Sequence, residues 1–441
     1  MDALTGVPFA GGAARSGVRF NVRRYWILWL LFLMATFSMV DKMLITVLLD
    51  PIKRDFHLSD TQLGLLTGIS FSLFFAIAGI PLGIAADRGN RRNLIAACIT
   101  IWSLATVACG MTTGFLQLLG LRFVVGAGES GATPSAVSMI SDLFRAGERA
   151  RALAIYYLFT PVGSGIGLSV GAILVQAIGW RNTLIAAGLP GLVIVLVLLL
   201  TVREPARLSI GGRADNGAAP PLGETLGFIL RQRSLLHLGA AITLVTIAVN
   251  GFGMWMFPFF TRVDHLSPGS AGWEISLATY PASAAGMILV GALSDRMARK
   301  DERWRVRIPA IMSFACLPLA VIAVTTPDPM VGLVFTGLWM VAGISWFGAS
   351  YAATQSLVLP RMRATLSAIM LLLTTLLGFG LGPLITGRIS DAMAPSVGVR
   401  SVAYGMMGAN LLAVWGGVHF ILAAKRLRRD LATVAGHADA A

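Results

Sequence analysis

Long apolar stretches alternate with short polar connections along the whole chain. A helix needs about 20 residues to cross a hydrocarbon core of about 30 Å, and only internally hydrogen-bonded helices or closed barrels are stable there. Each stretch is long enough for one crossing, so the pattern predicts an all-α membrane protein with twelve transmembrane helices. The predicted helices cover residues 25–48, 62–85, 93–112, 115–140, 151–176, 182–202, 237–261, 272–294, 307–325, 330–355, 363–388 and 401–423.

The composition also indicates lipid as the solvent of this chain. Of its 441 residues, 56% are hydrophobic and 13% are charged, and the mean hydropathy is +0.76. A soluble domain of this size would carry more charge on its surface. We therefore expect a multi-pass protein embedded in the lipid bilayer.

The basic residues follow the predicted topology. A net charge of +14 would suit nucleic-acid binding, but with the N-terminus inside, 27 of the 35 Lys and Arg residues lie in cytoplasmic segments. Six lie in outer loops, and Lys42 and Arg122 lie within predicted helices. This asymmetry is the positive-inside rule, so we expect a bacterial inner-membrane protein with both termini cytoplasmic. Its basic loops would contact anionic headgroups, and we expect no nucleic-acid partner.

The cysteines and the N-terminus predict neither a bound group nor a cleaved leader. Cys98, Cys109 and Cys316 fall inside predicted helices, at spacings that match no disulfide framework and no metal site. We expect them to be packing residues, and we expect no metal and no cofactor. The first 20 residues lack the apolar region and cleavage site of a secretory signal, so predicted helix 1 would be retained as a signal anchor.

A polar stretch, Arg203–Arg233, divides the chain into two halves. The predicted domains are an N-terminal six-helix bundle over residues 1–202, a cytoplasmic linker over 203–236 and a C-terminal six-helix bundle over 237–441. In the segment ETLGFILRQRS, from Glu224 to Ser234, apolar residues fall on one side and Arg231 and Arg233 on another, which predicts a helix at the membrane interface. A flexible tether is the alternative.

Internal repeats indicate that the two halves are duplicates. GIAADRGNRR from Gly83 and GALSDRMARK from Gly291 both follow the pattern G-x-x-x-D-R-x-x-R-[RK]. A second repeat relates three glycines of predicted helix 5 to three of predicted helix 11: Gly163, Gly165 and Gly167, then Gly378, Gly380 and Gly382. These glycines, with Pro161 and Pro383, permit bending or rocking, and close helix packing would select them equally well. Repeats of this length predict a duplicated six-helix unit.

The two loop repeats resemble the signature of the major facilitator superfamily, and the similarity covers nearly the whole chain. The resemblance implies the major facilitator fold, two pseudo-symmetric six-helix bundles that work by alternating access, and a cytoplasmic gate that stabilises the outward-facing state. Candidate gate residues are Gly83, Asp87, Arg88, Arg91, Arg92, Asp142, Arg149, Gly291, Asp295, Arg296 and Arg299. The alternative is that these are ordinary positive-inside loop charges. We expect a monomer.

Predicted helix 4 carries two ionisable side chains inside an apolar segment, LRFVVGAGESGATPSAVSMISD. Arg122 and Glu129 are seven residues apart, which places them on nearly one face, about 10 Å apart along the axis. Charge inside a membrane is costly, so we expect this face to line a cavity. Gly126, Gly128 and Gly131 would also let another helix approach closely.

Predicted helix 1 supplies a counterpart, because Asp41 lies at a similar depth to Arg122 and forms a candidate ion pair with it. Burial and a neighbouring cation act oppositely on the proton affinity of a carboxylate, so Asp41 and Glu129 would compete for Arg122 as access alternates. Our hypothesis is that Glu129, Asp41 or both carry a coupling proton and that Arg122 senses which is ionised. Lys42 points about 100° away from Asp41 and either contacts an anionic headgroup or snorkels outward.

The second half differs, because the central portions of predicted helices 7, 8, 10 and 11 contain no ionisable residue. A charged wall facing an apolar, partly aromatic wall suits an amphipathic small molecule or lipid. Candidate substrate-binding residues are Lys42, Arg122, Glu129, Tyr157, Asn250, Trp255, Tyr280 and Gln355. For Trp255, Phe257, Trp346 and Phe347, simple contact with lipid is the alternative.

Three strings resemble the spinster-like branch of the superfamily: DKMLITVLLDPIKRDFHLSDTQLGLLTG from Asp41, IPLGIAADRGNRR from Ile80 and RFVVGAGESGATPSAVSMISDLF from Arg122. Animal members of this branch are associated with sphingolipids and lysophospholipids, so the resemblance implies a proton-linked, lipid-like substrate. Lys42 stands where we expect Arg, and it lacks the bidentate geometry of a guanidinium. The alternative is a proton-coupled symporter of an organic anion, a carboxylate or sugar acid, whose helix 4 also resembles R-x-x-x-G-x-x-E.

Two other classes of function find no support in the sequence. We find no intramembrane HExxH, paired aspartates or Ser with a His base, and the five histidines sit at loops or helix ends, so we expect no enzyme. A passive pore would need a polar ring in both halves, and the second half offers few polar groups.

Overall fold

The computed structural model describes residues 14–205 and 221–439, and within these ranges its regular structure is helical, with no β-strand. The helices are α1 (Ala14–Phe56), α2 (Asp60–Thr67), α3 (Ile69–Arg88), α4 (Arg91–Gly110), α5 (Phe115–Ser130), α6 (Ala132–Leu143), α7 (Ala146–Tyr157), α8 (Phe159–Thr201), α9 (Leu222–Arg231), α10 (Arg233–Gly253), α11 (Met256–Arg262), α12 (Pro268–Ala298), α13 (Trp304–Thr325), α14 (Pro329–Ile344), α15 (Trp346–Ser356), α16 (Arg363–Leu373), α17 (Gly380–Val397) and α18 (Ser401–Asp439). Short 3-10 turns lie at Pro360–Met362 and Gly398–Arg400, and a π-helical turn lies at Thr374–Phe379.

Several predicted membrane helices are broken within their length. Predicted helix 2 divides at Gly68 into α2 and α3, and predicted helix 4 divides at Gly131 into α5 and α6. Predicted helices 5 and 6 meet inside α8 at Gly179, whose φ of 75° is a conformation that only glycine adopts at low cost. Such breaks leave backbone groups unpaired, which a membrane tolerates where the helix is covered by protein or lines a cavity.

Nine helical segments of the described residues are long and apolar enough to cross a membrane. Gly147–Thr201 and Thr365–Val434 each hold two predicted helices, because the chain turns at Gly179 and again at Gly398. Predicted helix 4 is not among the nine; it is the span that carries Arg122 and Glu129. With that span included, each predicted helix corresponds to a helical segment of the structure.

The apolar core shows how the two halves meet. One cluster of buried side chains, around Leu31 and Ile140, belongs to the first half, and another, around Leu238 and Met362, belongs to the second. A third cluster combines residues of both halves, among them Leu48 and Trp255. We call the side of this shared cluster the outer side and the opposite side the inner side, following the predicted topology. The halves are thus packed together on the outer side and have separate cores on the inner side.

The duplicated glycines make equivalent contacts in the two halves. A Cβ atom at Gly163 or Gly167 would lie 2.7–2.8 Å from backbone oxygens of α1, and a Cβ at Gly382 would lie 2.5 Å from the Ile247 oxygen of α10. The middle glycines face the other half instead, since Gly165 faces Tyr280 and Gly380 faces Ser72. Close packing therefore accounts for both glycine series, and the predicted duplication is present in the contacts as well as in the sequence.

The linker and the termini are described in part. The predicted interfacial helix is present as α9, which is followed by a break at Gln232 and then by α10. Residues 1–13, 206–220 and 440–441 lie outside the described residues, so the predictions for the first residues and for the linker's first part are not tested here. Cys98, Cys109 and Cys316 are free and buried, as expected of packing residues.

Candidate functional site

The predicted ion pair between α1 and α5 is present. Arg122 Nη1 donates to Asp41 Oδ2 at 2.9 Å, and Thr106 Oγ1 of α4 donates to Asp41 Oδ1 at 3.0 Å. Only 5% of Asp41 and 2% of Arg122 are exposed. A buried charge is stable only when it is paired and hydrogen-bonded, so this pair fixes α1 and α5 to each other.

A second ion pair lies beside the first and joins the same helices. Lys42 Nζ is 2.9 Å from Glu129 Oε2, and Ser38 Oγ donates to the same oxygen at 2.6 Å. The other carboxylate oxygen of Glu129, Oε1, is buried without a hydrogen-bond partner. The Lys42 side chain is 23% exposed, with Nζ 5.1 and 5.4 Å from the ring centres of Phe71 and Phe75. Glu129 therefore holds unused acceptor capacity next to a cation that reaches solvent.

The expected competition for Arg122 is not what this structure shows. Glu129 is paired with Lys42, so each carboxylate has its own cation. Two helical turns separate Arg122 from Glu129 along α5. Lys42 points about 100° away from Asp41 around the axis of α1, and this rotation directs its ammonium group to Glu129. Ser38 and Lys42, four residues apart on one face of α1, were the sequence signal for this second pair.

The glycines of α5 let two neighbouring helices, α3 and α4, approach closely beside the charges. A Cβ atom at Gly126 would overlap the backbone of Phe71, and one at Gly128 would lie 3.0 Å from the Trp102 nitrogen. The Phe71 ring contacts both cations, with the Arg122 guanidinium 5.6 Å from its centre. Close packing and a polar site therefore coexist on α5.

The candidate residues of the second half are not brought together in one polar group. Asn250 Nδ2 donates to its own helix at Thr246 O (2.8 Å), and Gln355 Nε2 donates to Ser367 Oγ (2.9 Å). Tyr280 Oη lies 3.7 Å from Met43 Sδ of α1, so this residue faces the first half. The second half contributes no ionisable partner to the four charges within the described residues.

Trp255 was predicted to contact substrate or lipid, and in this conformation it is exposed to neither. Its side chain is fully buried, its Nε1 donates to Pro383 O at 3.1 Å, and the Arg262 guanidinium lies 5.5 Å from its ring. The cause is that α10 breaks at Met254, which directs Trp255 into the core shared by the halves. Phe257 is buried in the same core.

An aromatic surface lies at the inner end, where the halves have separate cores. Tyr157 is 50% exposed and lies near Tyr351 of the other half. Tyr351 stacks on Phe347, which is 53% exposed. Of the candidate substrate residues, Tyr157 is thus the one placed on an open aromatic surface between the halves.

The candidate gate residues of the first half form a compact polar cluster at the inner end. Arg91 is 1% exposed, pairs with Asp142, and donates to Glu204 Oε1 at 2.8 Å and to Ser138 Oγ at 2.9 Å. The backbone nitrogen of Arg92 donates to Glu204 Oε2 at 2.8 Å, and Arg149 donates to the Ser141 oxygen at 2.7 Å. These contacts tie the inner ends of α4, α6 and α7 and the residues that follow α8 together within one half. Glu204, which follows predicted helix 6 by two residues, was not predicted as part of this cluster.

The glycines of the loop repeats are not in contact with the other half. A Cβ atom at Gly83 or at Gly291 would meet no atom within 4 Å. Asp87 has a partner in the structure, whereas the roles expected for Arg88, Asp295, Arg296 and Arg299 at a closed inner gate are not tested in this conformation.

The outer side is closed by an ionic network that was not predicted from the sequence. Arg262 of α11 is 2.5 Å from Asp50 and 3.0 Å from Asp60 of the first half. Asp60 also accepts from Lys53 at 2.6 Å and from Ser390 of α17 at 2.7 Å. The same three residues, Asp50, Asp60 and Arg262, also help to line a cavity of about 940 Å³.

Two packed groups of apolar helices, joined on one side and with buried charge between helices of the first half, are the architecture of a membrane transporter. The chain belongs to the Major Facilitator Superfamily, whose family model matches residues 31–383. A relative named MFS-type efflux pump, from Mycolicibacterium smegmatis, is 32% identical over 94% of this chain and 96% of its own length. Protein spinster homolog 1 of Xenopus tropicalis is 26% identical over 91% of this chain and 80% of its own.

Solved structures give the same result. A bacterial homologue of the human lysosomal transporter spinster, in an inward-facing and unoccupied conformation, matches with a TM-score of 0.83 and 28% identity, covering 92% of this chain and 98% of that one. The occupied, inward-facing conformation matches with a TM-score of 0.80. The chain is thus a spinster-like secondary transporter and not an enzyme, and its closed outer side agrees with the inward-facing state of these neighbours.

Proposed function

We propose that this transporter is proton-coupled and moves an amphipathic, lipid-like molecule of the lysophospholipid or sphingolipid type across the bacterial inner membrane. In this proposal it acts as a monomer with both termini cytoplasmic. The observation that carries the proposal is the pair of buried carboxylates in the first half, each with its own cation, facing a second half that brings no charge to them.

Proton coupling is supported by the surroundings of Glu129. Its carboxylate is 2% exposed, its Oε1 has no partner, and its Oε2 neutralises Lys42. A proton bound at Glu129 would remove the charge that holds Lys42 and leave an ammonium facing the solvent. A proton and an anionic headgroup then bind together, because each relieves the charge that the other leaves behind. Asp41 is the second candidate proton carrier, with Arg122 as its resident partner.

The amphipathic substrate is supported by the division of polarity between the halves. The headgroup would meet Lys42 beside the Phe71 and Phe75 rings, which add an apolar face to the ammonium. The acyl tail would lie on the aromatic surface of Tyr157, Tyr351 and Phe347. The resemblance to the spinster-like branch, whose animal members are associated with sphingolipids and lysophospholipids, favours a lipid-like substrate, and the relatives named spinster support that branch.

Proton coupling is tested with Glu129→Gln in proteoliposomes. We expect the variant to lose the acceleration of transport by an imposed pH gradient while keeping counterflow exchange, in which no net proton movement is needed. Glu302→Gln, an exposed loop residue on the inner side, serves as the control and should behave as wild type. If Glu129→Gln keeps the wild-type response and Asp41→Asn loses it, the proton carrier is Asp41. If both keep it, transport is not proton-coupled through this site.

The substrate class is tested by thermal stabilisation and by competition in the same vesicles. We expect lysophospholipids and sphingoid compounds to stabilise the wild-type protein and to compete for transport. Hexuronates and small carboxylates serve as the comparison set. Stabilisation by these hydrophilic acids alone would overturn the lipid-like substrate in favour of an organic-anion symporter.

A further inference from the structure

The helix α9 presents three distinct sectors along its ten residues. Thr225 and Ile229 are buried against the second half, and Glu224 and Arg231 lie on the opposite, polar side. Between these sectors, one face carries three exposed leucines at intervals of four residues: Leu222 (61% exposed), Leu226 (37%) and Leu230 (64%). Residues four apart lie on one face of a helix, so the leucines form a continuous apolar stripe that the rest of the protein does not cover.

The buried side of α9 is small, whereas its exposed leucine stripe would be unfavourable in water. On the buried side, Ile229 joins the core of the second half, whereas the Thr225 hydroxyl has no hydrogen-bond partner. The larger apolar area of α9 therefore faces outward. A helix at the inner membrane surface that directs leucines away from its own protein fits the acyl boundary of a leaflet, and exposed apolar positions resume at Leu236 in the first turn of α10.

Basic groups lie where lipid headgroups would be. A cavity of about 280 Å³ between α9 and the turn before α16 is lined by Arg231, Arg361 and Glu224, together with Phe228 and Met362. Arg361 reaches Glu224 at 3.7 Å, and both side chains are partly exposed. The two guanidinium groups exceed the one carboxylate, so the cavity carries a net positive charge, and guanidinium is the cation best suited to bidentate phosphate binding.

We propose that α9 and this cavity bind an anionic phospholipid of the inner leaflet, with the leucine stripe among the acyl chains and the headgroup phosphate between Arg231 and Arg361. The site is separate from the proposed transport site and does not depend on what is transported. It attaches the start of α10 and the turn before α16, which are both inner ends of the second half, to the membrane surface.

The position of the stripe is tested by attaching an environment-sensitive NBD fluorophore to Leu226→Cys. The three native cysteines are buried, so the label goes to the new residue. Glu302→Cys, in an exposed loop on the inner side and outside the cavity, is the control. In phosphatidylglycerol-containing nanodiscs we expect a blue-shifted emission at position 226 that brominated acyl chains quench, and an aqueous emission at position 302. Aqueous emission at both positions would overturn the proposal, and so would a blue shift at 226 that brominated lipids do not quench, because a second protein copy would then cover the stripe.

The lipid preference is tested by native mass spectrometry of protein released from mixed phosphatidylcholine and phosphatidylglycerol vesicles. We expect the wild type to retain phosphatidylglycerol. Arg231→Gln and Arg361→Gln should each reduce that preference about fivefold, and the double variant should show both losses. A double variant at Arg426 and Arg429, exposed arginines of α18 at the same side, removes equal charge and should keep the preference. Equal losses in both double variants would show general surface charge only and would contradict a built site.

Discussion

The carboxylate of Asp391 caps a helix that belongs to the other half of the protein. It accepts from the backbone nitrogen of Thr61 at 2.7 Å, from the Thr61 hydroxyl at 2.5 Å and from the backbone nitrogen of Asp60 at 2.9 Å. The first turn of α2 has free N–H groups and a positive end of the helix dipole, which a carboxylate stabilises. This cap exists only while the halves meet on the outer side, so it stabilises the inward-facing state.

Replacing Asp391 with Asn should shift the protein toward the outward-facing state. Charge-assisted hydrogen bonds contribute about 1.5–3 kcal/mol each, and partial solvent exposure reduces this, so we expect the ratio of states to change by roughly tenfold. The measurement is the distance distribution between spin labels placed on the outer ends of the two halves. The longer distance should gain population in the variant.

A control for this prediction comes from Asp328, which caps the start of α14 within its own half and accepts from Met330 at 2.9 Å. Asp328→Asn should lower the apparent Tm by a few degrees and leave the spin-label distances unchanged. Identical distance distributions for Asp391→Asn and wild type would contradict a gating role for the interhalf cap.

The seam between α2 and α17 should be sensitive to a single added methyl group. A Cβ atom at Gly64 would lie 2.5 Å from the Pro383 oxygen of the opposite half, whereas one at Gly163 would lie 2.7 Å from Thr36 within the same half. Both Gly→Ala changes cause a steric clash, but parting the halves relieves only the first. We expect Gly64→Ala to favour the outward-facing state and Gly163→Ala to lower thermal stability in either state. The shift of Gly64→Ala toward the outward-facing state is measured as the accessibility of an introduced cysteine from the outer side. Equal accessibility in the two variants would refute this shift.

Much of the architecture could be predicted because hydropathy and repeated motifs are local signals. Each predicted helix corresponds to a helical segment, and the glycine repeats at Gly165 and Gly380 correspond to equivalent contacts. The pairing of Asp41 with Arg122 could also be predicted, since a buried charge needs a partner at its own depth. These inferences require only spacing along one helix and the cost of charge in lipid.

The outer network could not be predicted in the same way. Asp50, Asp60 and Arg262 lie at predicted helix ends, where exposed charges are common, and nothing in their spacing indicates that two halves of the chain meet there. The break after α10 that buries Trp255 depends on packing between the halves as well. The partner of Glu129 required a choice between Lys42 and Arg122, which depends on the rotation of α1 about its axis.

Breaking the ion pair between Asp41 and Arg122 should strongly lower the stability of the protein. Removing one partner of a buried ion pair leaves an uncompensated charge and typically costs about 3–5 kcal/mol. We expect Arg122→Gln to lower the apparent Tm strongly, and Asp41→Asn combined with Arg122→Gln to recover part of the loss. Lys300→Gln, an exposed change of charge on the inner side, is the control and should have little effect. A double variant less stable than Arg122→Gln would show that the two residues do not act as a pair.

Lys42 should determine the preference for anionic headgroups. In the proposed mechanism its ammonium is released when Glu129 takes up a proton and then binds the headgroup. We expect Lys42→Gln to weaken competition by lysophospholipids with an anionic headgroup by roughly tenfold, since one hydrogen bond to a charged group contributes about 1.5–3 kcal/mol. Competition by an uncharged amphiphile of the same chain length should change little, and Lys42→Arg should retain the anionic preference because the charge is kept. Lys425→Gln, exposed on α18, is the matched control. Equal weakening for charged and uncharged amphiphiles would mean that Lys42 supports the structure around Glu129 and does not contact the headgroup.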